Sequence, residues 1–370
     1  MWYNIAEDKN YNTKGCFIMK KTYNLGIVGY GGMGKWHHLN MDRIDRVNPV
    51  AVCDIAKSAR DRAESYGLKT YDNINKILKD DSIDIIVIAT PNHFHCPYAI
   101  KAMQAGKHVI TEKPITTSSA NLQKMIDASV LYDRKLSVHQ NRRWDKDYLT
   151  IKKIVDDKMI GDVFTVSSRV MGSRGIPGDW RAKKAFGGGM MLDWGVHLID
   201  QALHMFNSPV REVYVRMQHV HYSEVDDGFS LVLTFENGVV YTIDVFTSCY
   251  INLPRWHVCG YEGTAVINDW SCDGKIVNIQ KGKENEDATP IEAGAGLTKT
   301  MAPRTDKSTV EHSLPHIECD EWVEYYGNYV NAIEGKEELL VQPSEAMRVM
   351  RVMEAAFKSE KQNRSINVNI

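Results

Sequence analysis

Asp193 and His197 stand four residues apart in Asp193-Trp194-Gly195-Val196-His197. On a helix their side chains are neighbours. A carboxylate beside an imidazole raises the imidazole pKa and fixes its orientation, which suits a general base. Leu192, Val196, Ile199, Leu203 and Phe206 form an apolar stripe at helical spacing, with Asp193, His197, Asp200 and His204 as a polar stripe beside it. The same pattern describes a structural histidine on a packed helix. An Asp/His pair at this spacing can also share a metal, but the chain has no His-Glu-x-x-His run and no cysteine cluster, so no metal is expected. Gly187-Gly188-Gly189 precede the segment and would let a ligand approach the helix start.

Two further segments can supply partners for this pair. The apolar run 83–89 ends in Thr90-Pro91-Asn92-His93-Phe94-His95, and the next strand ends in Thr111-Glu112-Lys113-Pro114. Ligands of an open α/β sheet sit at the carboxyl ends of its strands. Thr90, Pro91, Asn92, His95, Glu112 and Lys113 are therefore expected around one crevice, with Lys113 placed to reach both cofactor and substrate; a surface lysine is the plainer alternative. Gln140-Asn141-Arg142-Arg143-Trp144-Asp145 follows the last strand of this type, and Gly178-Asp179-Trp180-Arg181 precedes the triple glycine. Gln140, Trp180 and Arg181 are candidate cofactor contacts. Arg142, Trp144 and Tyr148 are candidate substrate contacts, the arginines for charge and the tryptophans for the C–H side of a sugar ring. Packing at a domain junction explains each of these, taken singly, as well.

The element that must position these groups opens the chain's first regular segment. Tyr23-Asn-Leu-Gly-Ile-Val is an apolar strand running into Gly29-Tyr30-Gly31-Gly32-Met33-Gly34 and then a helix. Gly29 makes the tight turn, Gly31 leaves room for phosphate oxygens, and Gly34 lets helix and strand pack closely. The helix N-terminus, with Gly32 and Met33, offers free N–H groups to an anion. Asp54 ends the next strand, twenty residues past the last glycine, where a carboxylate holds ribose hydroxyls. The cofactor expected is NAD, since a 2′-phosphate would meet the charge of Asp54. Lys57 and Arg60 leave some tolerance for NADP.

A chain of 370 residues should form two domains. Residues 23–140 alternate strand and helix, which implies a parallel sheet with right-handed crossovers. After about residue 160 the strands alternate apolar and polar, as in Phe229-Ser-Leu-Val-Leu-Thr-Phe, and Asn237-Gly238 marks a hairpin. The expected fold is an α/β Rossmann domain plus a C-terminal α+β domain with a large open, mainly antiparallel sheet. Residues 1–20 are assigned to a loose extension, with Met19 a candidate start. Residues 21–141 form the dinucleotide domain, 142–342 the substrate and oligomerisation domain, and 343–370 a helix returning to the first domain with Ala346, Val349, Met350, Met353 and Phe357 on one stripe. Residues 281–320 are polar and read as a long loop. The net charge of −2 gives no reason to expect nucleic acid, and no apolar run is long enough to span a bilayer. Seven scattered cysteines without a Cys-x-x-Cys pair suit a reducing cytoplasm.

The glycine turn, Thr90-Pro-Asn-x-x-His95, Glu112-Lys113-Pro114 and Asp193-x-Gly-x-His197 occur in one order over residues 22–368. Together they resemble the glucose–fructose oxidoreductase / inositol 2-dehydrogenase (Gfo/Idh/MocA) family. The resemblance implies NAD or NADP, a homo-oligomer built through the C-terminal sheet, and cyclic polyols or pyranosides as substrates. It carries Lys113, Asp193 and His197 over as the catalytic group, with His197 taking the hydroxyl proton as the carbinol hydrogen leaves as hydride. Asp193-Trp-Gly-Val-His and the segment 293–315 further resemble bacterial proteins that oxidise glycosides at C3, some of which serve O- or C-deglycosylation. A cleaving enzyme that oxidises only transiently is the alternative. A sugar-responsive regulator is a third, against which the intact Lys113, Asp193 and His197 set argues.

Overall fold

The structure, a computed structural model, describes residues 21–370; the expected extension over residues 1–20 lies outside the described residues. Six strands, β1 (Tyr23–Val28), β2 (Val47–Cys53), β3 (Lys69–Tyr71), β4 (Ile85–Ile88), β5 (His108–Thr111) and β6 (Leu136–Val138), form a parallel sheet in the order β3-β2-β1-β4-β5-β6. Helices α1 (Gly32–Asn40), α2 (Lys57–Glu64), α3 (Ile74–Ile77), α4 (His95–Gln104) and α5 (Ser119–Leu131) connect them. Ile85, Ile86, Val87 and Ile88 are all fully buried, which is why β4 reads as an unbroken apolar run rather than an alternating one. The strand order reverses between β1 and β4, and a ligand crevice opens at such a switch point.

A second layer follows helix α6 (Lys146–Asp156). Strands β7 (Val163–Met171), β8 (Val210–Gln218), β9 (Gly228–Phe235), β10 (Val240–Phe246), β11 (Trp256–Gly260), β12 (Gly263–Ile267) and β13 (Gly274–Ile279) build most of a nine-stranded sheet. β7 runs parallel to β10 and every other pairing is antiparallel. On β9, Phe229, Leu231, Leu233 and Phe235 are buried while Ser230, Val232 and Thr234 are half-buried on the other face. That alternation is the mark of a sheet packed on one side. The polar stretch expected as a loop contains a small hairpin, β14 (Ile291–Ala293) with β15 (Gly296–Thr298), and β16 (Thr309–Ser313), which pairs with β13 at the sheet edge. Helix α7 (Val196–Met205) packs beneath the sheet.

Helix α8 (Glu321–Ile333) is absent from the sequence expectations. It buries Trp322, Tyr325, Tyr326, Tyr329 and Val330, and Tyr325 and Tyr329 donate to Ser137 and to the Lys135 carbonyl beside β6. Asp320 caps it by accepting from the Trp322 and Val323 N–H groups. The return to the first domain thus begins before residue 343. Helix α9 (Pro343–Gln362) buries Ala346, Val349, Met350 and Met353 as its stripe requires, but Phe357 is 41% exposed. The buried row continues through Ala356 and Ser359 instead. α9 touches α7 and β8 on one side and α5 and β6 on the other, and β17 (Ile366–Asn367) then joins the sheet edge beside β8.

Candidate active site

The glycine turn is built by contacts that exclude a side chain at two positions. Gly29 has φ +93°, and a Cβ there would sit 2.5 Å from the Ala89 carbonyl oxygen; a Cβ on Gly34 would sit 1.9 Å from the Gly29 carbonyl oxygen. At Gly31 a Cβ would meet nothing within 4 Å, so the turn opens onto free space. Gly32 and Met33 begin α1, whose N-terminus has no side-chain cap, leaving its first N–H groups available to an anion. Asp54 is held beside the turn. Its Oδ2 accepts from the Tyr30 N–H at 2.7 Å and its Oδ1 from the Ala56 N–H at 2.8 Å. Thr90 Oγ1 and the buried Gln140 Oε1, at two further strand ends, have no partner among the described residues. A dinucleotide fits the chemistry of this set: the N-terminus of α1 would hold a pyrophosphate and Asp54 a ribose, with Thr90 and Gln140 left unpaired along the crevice.

Across the crevice, Lys113 Nζ donates to Asp193 Oδ1 at 2.9 Å and to the Asp193 carbonyl at 3.0 Å. The two side chains are 18% and 16% exposed. Arg181 Nε approaches Asp193 Oδ2 at 3.3 Å, while its Nη1 donates to Asp179 at 2.8 Å and its guanidinium lies 4.7 Å over the Trp180 ring. Burial works to raise the Asp193 pKa, but Lys113 and then Arg181 overrule it and hold the carboxyl below its ordinary value.

The expected Asp193–His197 pairing does not form as the helical spacing suggested. Residues Met191–Gly195 make a π-helical turn ahead of α7. This wider turn breaks the regular i, i+4 geometry, and the carboxylate is committed to Lys113 and Arg181. His197 is buried, and its Nδ1 has no partner among the described residues. Its pKa lies well below the ordinary histidine value, through burial first, then Lys113, then Arg142. The raised pKa anticipated from Asp193 is therefore corrected to a lowered one. An imidazole held neutral can still accept a proton. The triple glycine also has a different reason from the one expected. A Cβ on Gly188 would meet the Arg181 carbonyl at 2.2 Å and one on Gly189 the Asp226 carboxylate at 2.3 Å, so the chain itself fills that space.

Other expected contacts fall elsewhere. Tyr148 is fully buried on the α6 face that carries Ile151 and Ile154, with its hydroxyl 2.7 Å from His204 Nδ1; it belongs to the core and cannot touch substrate. Trp144 turns to α8, where its indole N–H donates to Glu324 at 2.6 Å. His95 is fully buried, its ring nitrogens 2.8 Å from the Thr90 carbonyl and 2.9 Å from the Pro114 carbonyl. It braces the two strand-end loops from behind rather than facing the crevice. Glu112 turns inward as well and meets His37 and His139. Asn92 donates to the Gly187 carbonyl at 3.0 Å, joining the first domain's loop to the segment before the π-turn; Pro91 begins that loop's short 3₁₀ turn.

A cavity of about 550 Å³ adjoins Trp194 and is lined by Arg142, Met171, Arg174, Phe246, Thr247 and Trp270 among others. The Arg142 guanidinium lies 4.1 Å over the Trp194 ring and 5.4 Å from the Trp270 ring, and pairs with Asp145 at 2.9 Å. Trp194 and Trp270, not Trp144, supply the aromatic walls. Trp194 sits inside the quoted Asp193–His197 motif and was readable there. Trp270 comes from the β12–β13 connection and carried no signal.

Residues 23–140 match the family described as "Oxidoreductase family, NAD-binding Rossmann fold", and residues 148–266 match the "GFO/IDH/MocA C-terminal domain". The Bacillus subtilis protein scyllo-inositol 2-dehydrogenase (NADP(+)) IolW is 28% identical over 356 residues, covering 93% of this chain and 96% of the relative. A second B. subtilis protein, the uncharacterized oxidoreductase YrbE, is 31% identical over 261 residues, covering 68% of this chain and 75% of the relative. The crystal structure of an NAD-binding protein from Listeria innocua superposes with a TM-score of 0.91 at 43% identity, covering 94% of this chain and all of that one. With a dinucleotide cradle in the first domain and both domains matched, the chain belongs to the GFO/IDH/MocA family and is an NAD(P)-binding oxidoreductase.

Proposed function

We propose that the protein is a dehydrogenase acting on a secondary hydroxyl of a sugar, glycoside or cyclic polyol, with C3 of a glucoside as the preferred position. The observation that carries this reading is the Lys113–Asp193 pair, with His197 following on the next turn, beside an aromatic-walled cavity. A nicotinamide bound there would supply the hydride acceptor. The protein's part is to hold the hydroxyl and receive its proton. Lys113 donates to the substrate oxygen and stabilises negative charge as it develops. His197 is the proton acceptor. Asp193, itself held by Arg181, keeps the ammonium in place. The cavity of about 550 Å³ is open and has room for a pyranoside ring together with an aglycone. Trp194 and Trp270 offer flat apolar faces to it. The half-buried outer face of the nine-stranded sheet is read as the contact between copies of this chain in the cytoplasm, which light scattering on the pure protein tests.

The deciding experiment is a panel of glucosides, free sugars and inositols with NAD and NADP, the product carbonyl being located by NMR. Turnover of glucosides with a 3-keto product is expected; activity on inositols alone would remove the glycoside preference. Aglycone release without free NADH would assign transient oxidation and elimination in place of net dehydrogenation.

Asp54 also makes a cofactor prediction. Its carboxylate, fixed by two backbone N–H groups, favours NAD although one relative is named for NADP. Arg60 is spent on the carbonyls of Asp54 and Ile55 at 2.7 and 3.0 Å. Asp54→Ser should weaken NAD binding about 10–100-fold, the loss of charge-assisted hydrogen bonds, and narrow the gap to NADP. Calorimetric Kd values for both cofactors check this, and an unchanged ratio would count against it.

A further inference from the structure

Behind the glycine turn lies a polar cluster that the chemistry above does not use. His37 comes from α1, Glu112 from the end of β5, His139 from the end of β6 and Glu321 from the start of α8. The first three are buried. The hydrogen-bond partners assign the protons. His37 Nε2 is 2.7 Å from Glu112 Oε1, and His37 Nδ1 is 2.6 Å from the Tyr326 hydroxyl. A carboxylate only accepts, so Nε2 carries the proton and Nδ1 accepts from the tyrosine. His139 Nδ1 lies 3.1 Å from the same Glu112 oxygen, and its Nε2 lies 2.9 Å from Glu321 Oε1. The Nε2 contact is a charge contact without hydrogen-bond geometry, and a carboxylate on either side favours the protonated form of His139. Burial opposes that charge, but Glu112 and Glu321 raise the His139 pKa to about 9. Burial also opposes the charge of Glu112, and His139 and His37 hold its carboxyl well below the ordinary range.

His37, Glu112 and His139 bring ligand-type atoms within 4.8 Å of one another. Glu112 Oε1 already accepts from both His37 Nε2 and His139 Nδ1, so these atoms are committed to one another and the cluster reads as a brace rather than a metal site. Its open end points to the crevice. Glu112 Oε2 accepts from the backbone N–H of Lys113 at 3.2 Å, and Lys113 is the residue whose ammonium meets Asp193. One carboxylate therefore touches both the helix that receives the pyrophosphate and the peptide that carries the ammonium.

We propose that Glu112 is a positioning residue: through His37 it ties the placement of the phosphate-binding helix to the placement of Lys113. The inference rests on the reading of Lys113 given above. A misplacement of about 1 Å far from the reacting atoms can cost about 10²-fold in rate. His37 is fully buried and hydrogen-bonds Glu112 and the Tyr326 hydroxyl; of these two partners Glu112 is the one that reaches the Lys113 amide.

The test uses the full chain with three substitutions, His37→Leu, His37→Gln and Glu112→Gln, and methyl β-D-glucoside as the substrate probe. His37→Leu and Glu112→Gln should each lower kcat about 10²-fold while KM for the glucoside and the calorimetric Kd for NAD stay within about threefold. His37→Leu should also speed hydrogen exchange at the Lys113 amide about tenfold, with β1 and β4 unchanged. His37→Gln keeps an N–H where Nε2 stood and should restore wild-type values. Wild-type exchange at the Lys113 amide in His37→Leu overturns the proposal, as does a loss of rate that only tracks a loss of folded protein. Should the wild-type protein not oxidise the glucoside, the substrate reading fails, and the exchange and NAD-binding measurements still decide the role of Glu112.

Discussion

Lys113→Met is expected to reduce turnover about 10³-fold, the scale of removing a donor aimed at developing oxyanion charge, while the Kd for NAD changes little. Methionine keeps the length and the apolar stem of lysine and removes only the ammonium. That ammonium is hydrogen-bonded to both the side chain and the carbonyl of Asp193. Its loss leaves a mostly buried carboxylate with Arg181 alone, at 3.3 Å, so some stability goes with it. The double variant Lys113→Met/Asp193→Asn separates the two effects. It removes the unpaired charge and should recover the melting temperature without recovering the rate. Stopped-flow NADH formation and calorimetric NAD binding, run on the same preparations, give the comparison. Turnover near the wild-type level in Lys113→Met would take Lys113 out of the mechanism. The prediction does not depend on which sugar is oxidised, since any secondary alcohol places the same demand on its oxygen.

The parts of this architecture that were legible in the sequence are those whose signals are local. The glycine turn, the strand before it and Asp54 are close in sequence and need no knowledge of the rest of the fold. β4 announces itself because Ile85–Ile88 is covered on both faces. Facing was harder to read than position. Tyr148 lies near a functional segment, yet its helix turns it onto the side of Ile151 and Ile154. Glu112 and Lys113 are adjacent, and the end of the strand sends one carboxylate inward and one ammonium outward. The Asp193–His197 spacing implies a pair only on an ideal helix, and the π-turn at Met191–Gly195 redirects the carboxylate to a lysine eighty residues earlier. Only the tertiary fold holds that information. Helix α8 has a weak sequence signal because aromatics supply its buried stripe, although Asp320 and Gly335 mark its ends.

His197→Gln should lower kcat about 10²–10⁴-fold, the usual contribution of a positioned proton acceptor, and its pH dependence is the sharper test. Burial, Lys113 and Arg142 all push the imidazole below its ordinary pKa. The base is therefore neutral at pH 6.5 and above, and the acid-side fall in wild-type kcat/KM should lie below pH 6.5. Arg142→Met removes one of the three positive charges that depress it, beside Lys113 and His139, so that fall should move to higher pH. The stability sign follows the same shift. A histidine whose folded pKa is depressed contributes stability above its unfolded value near 6.5, and that stability is lost as pH drops toward the folded pKa. The two readouts are linked: in wild-type protein, acid should weaken the fold from about pH 6.5 downward, ahead of the fall in rate that marks protonation of the folded base, and His197→Gln should flatten this group's share of the stability profile. A wild-type acid limb centred above pH 6.5, or one that does not move in Arg142→Met, would point to a different proton acceptor facing the crevice.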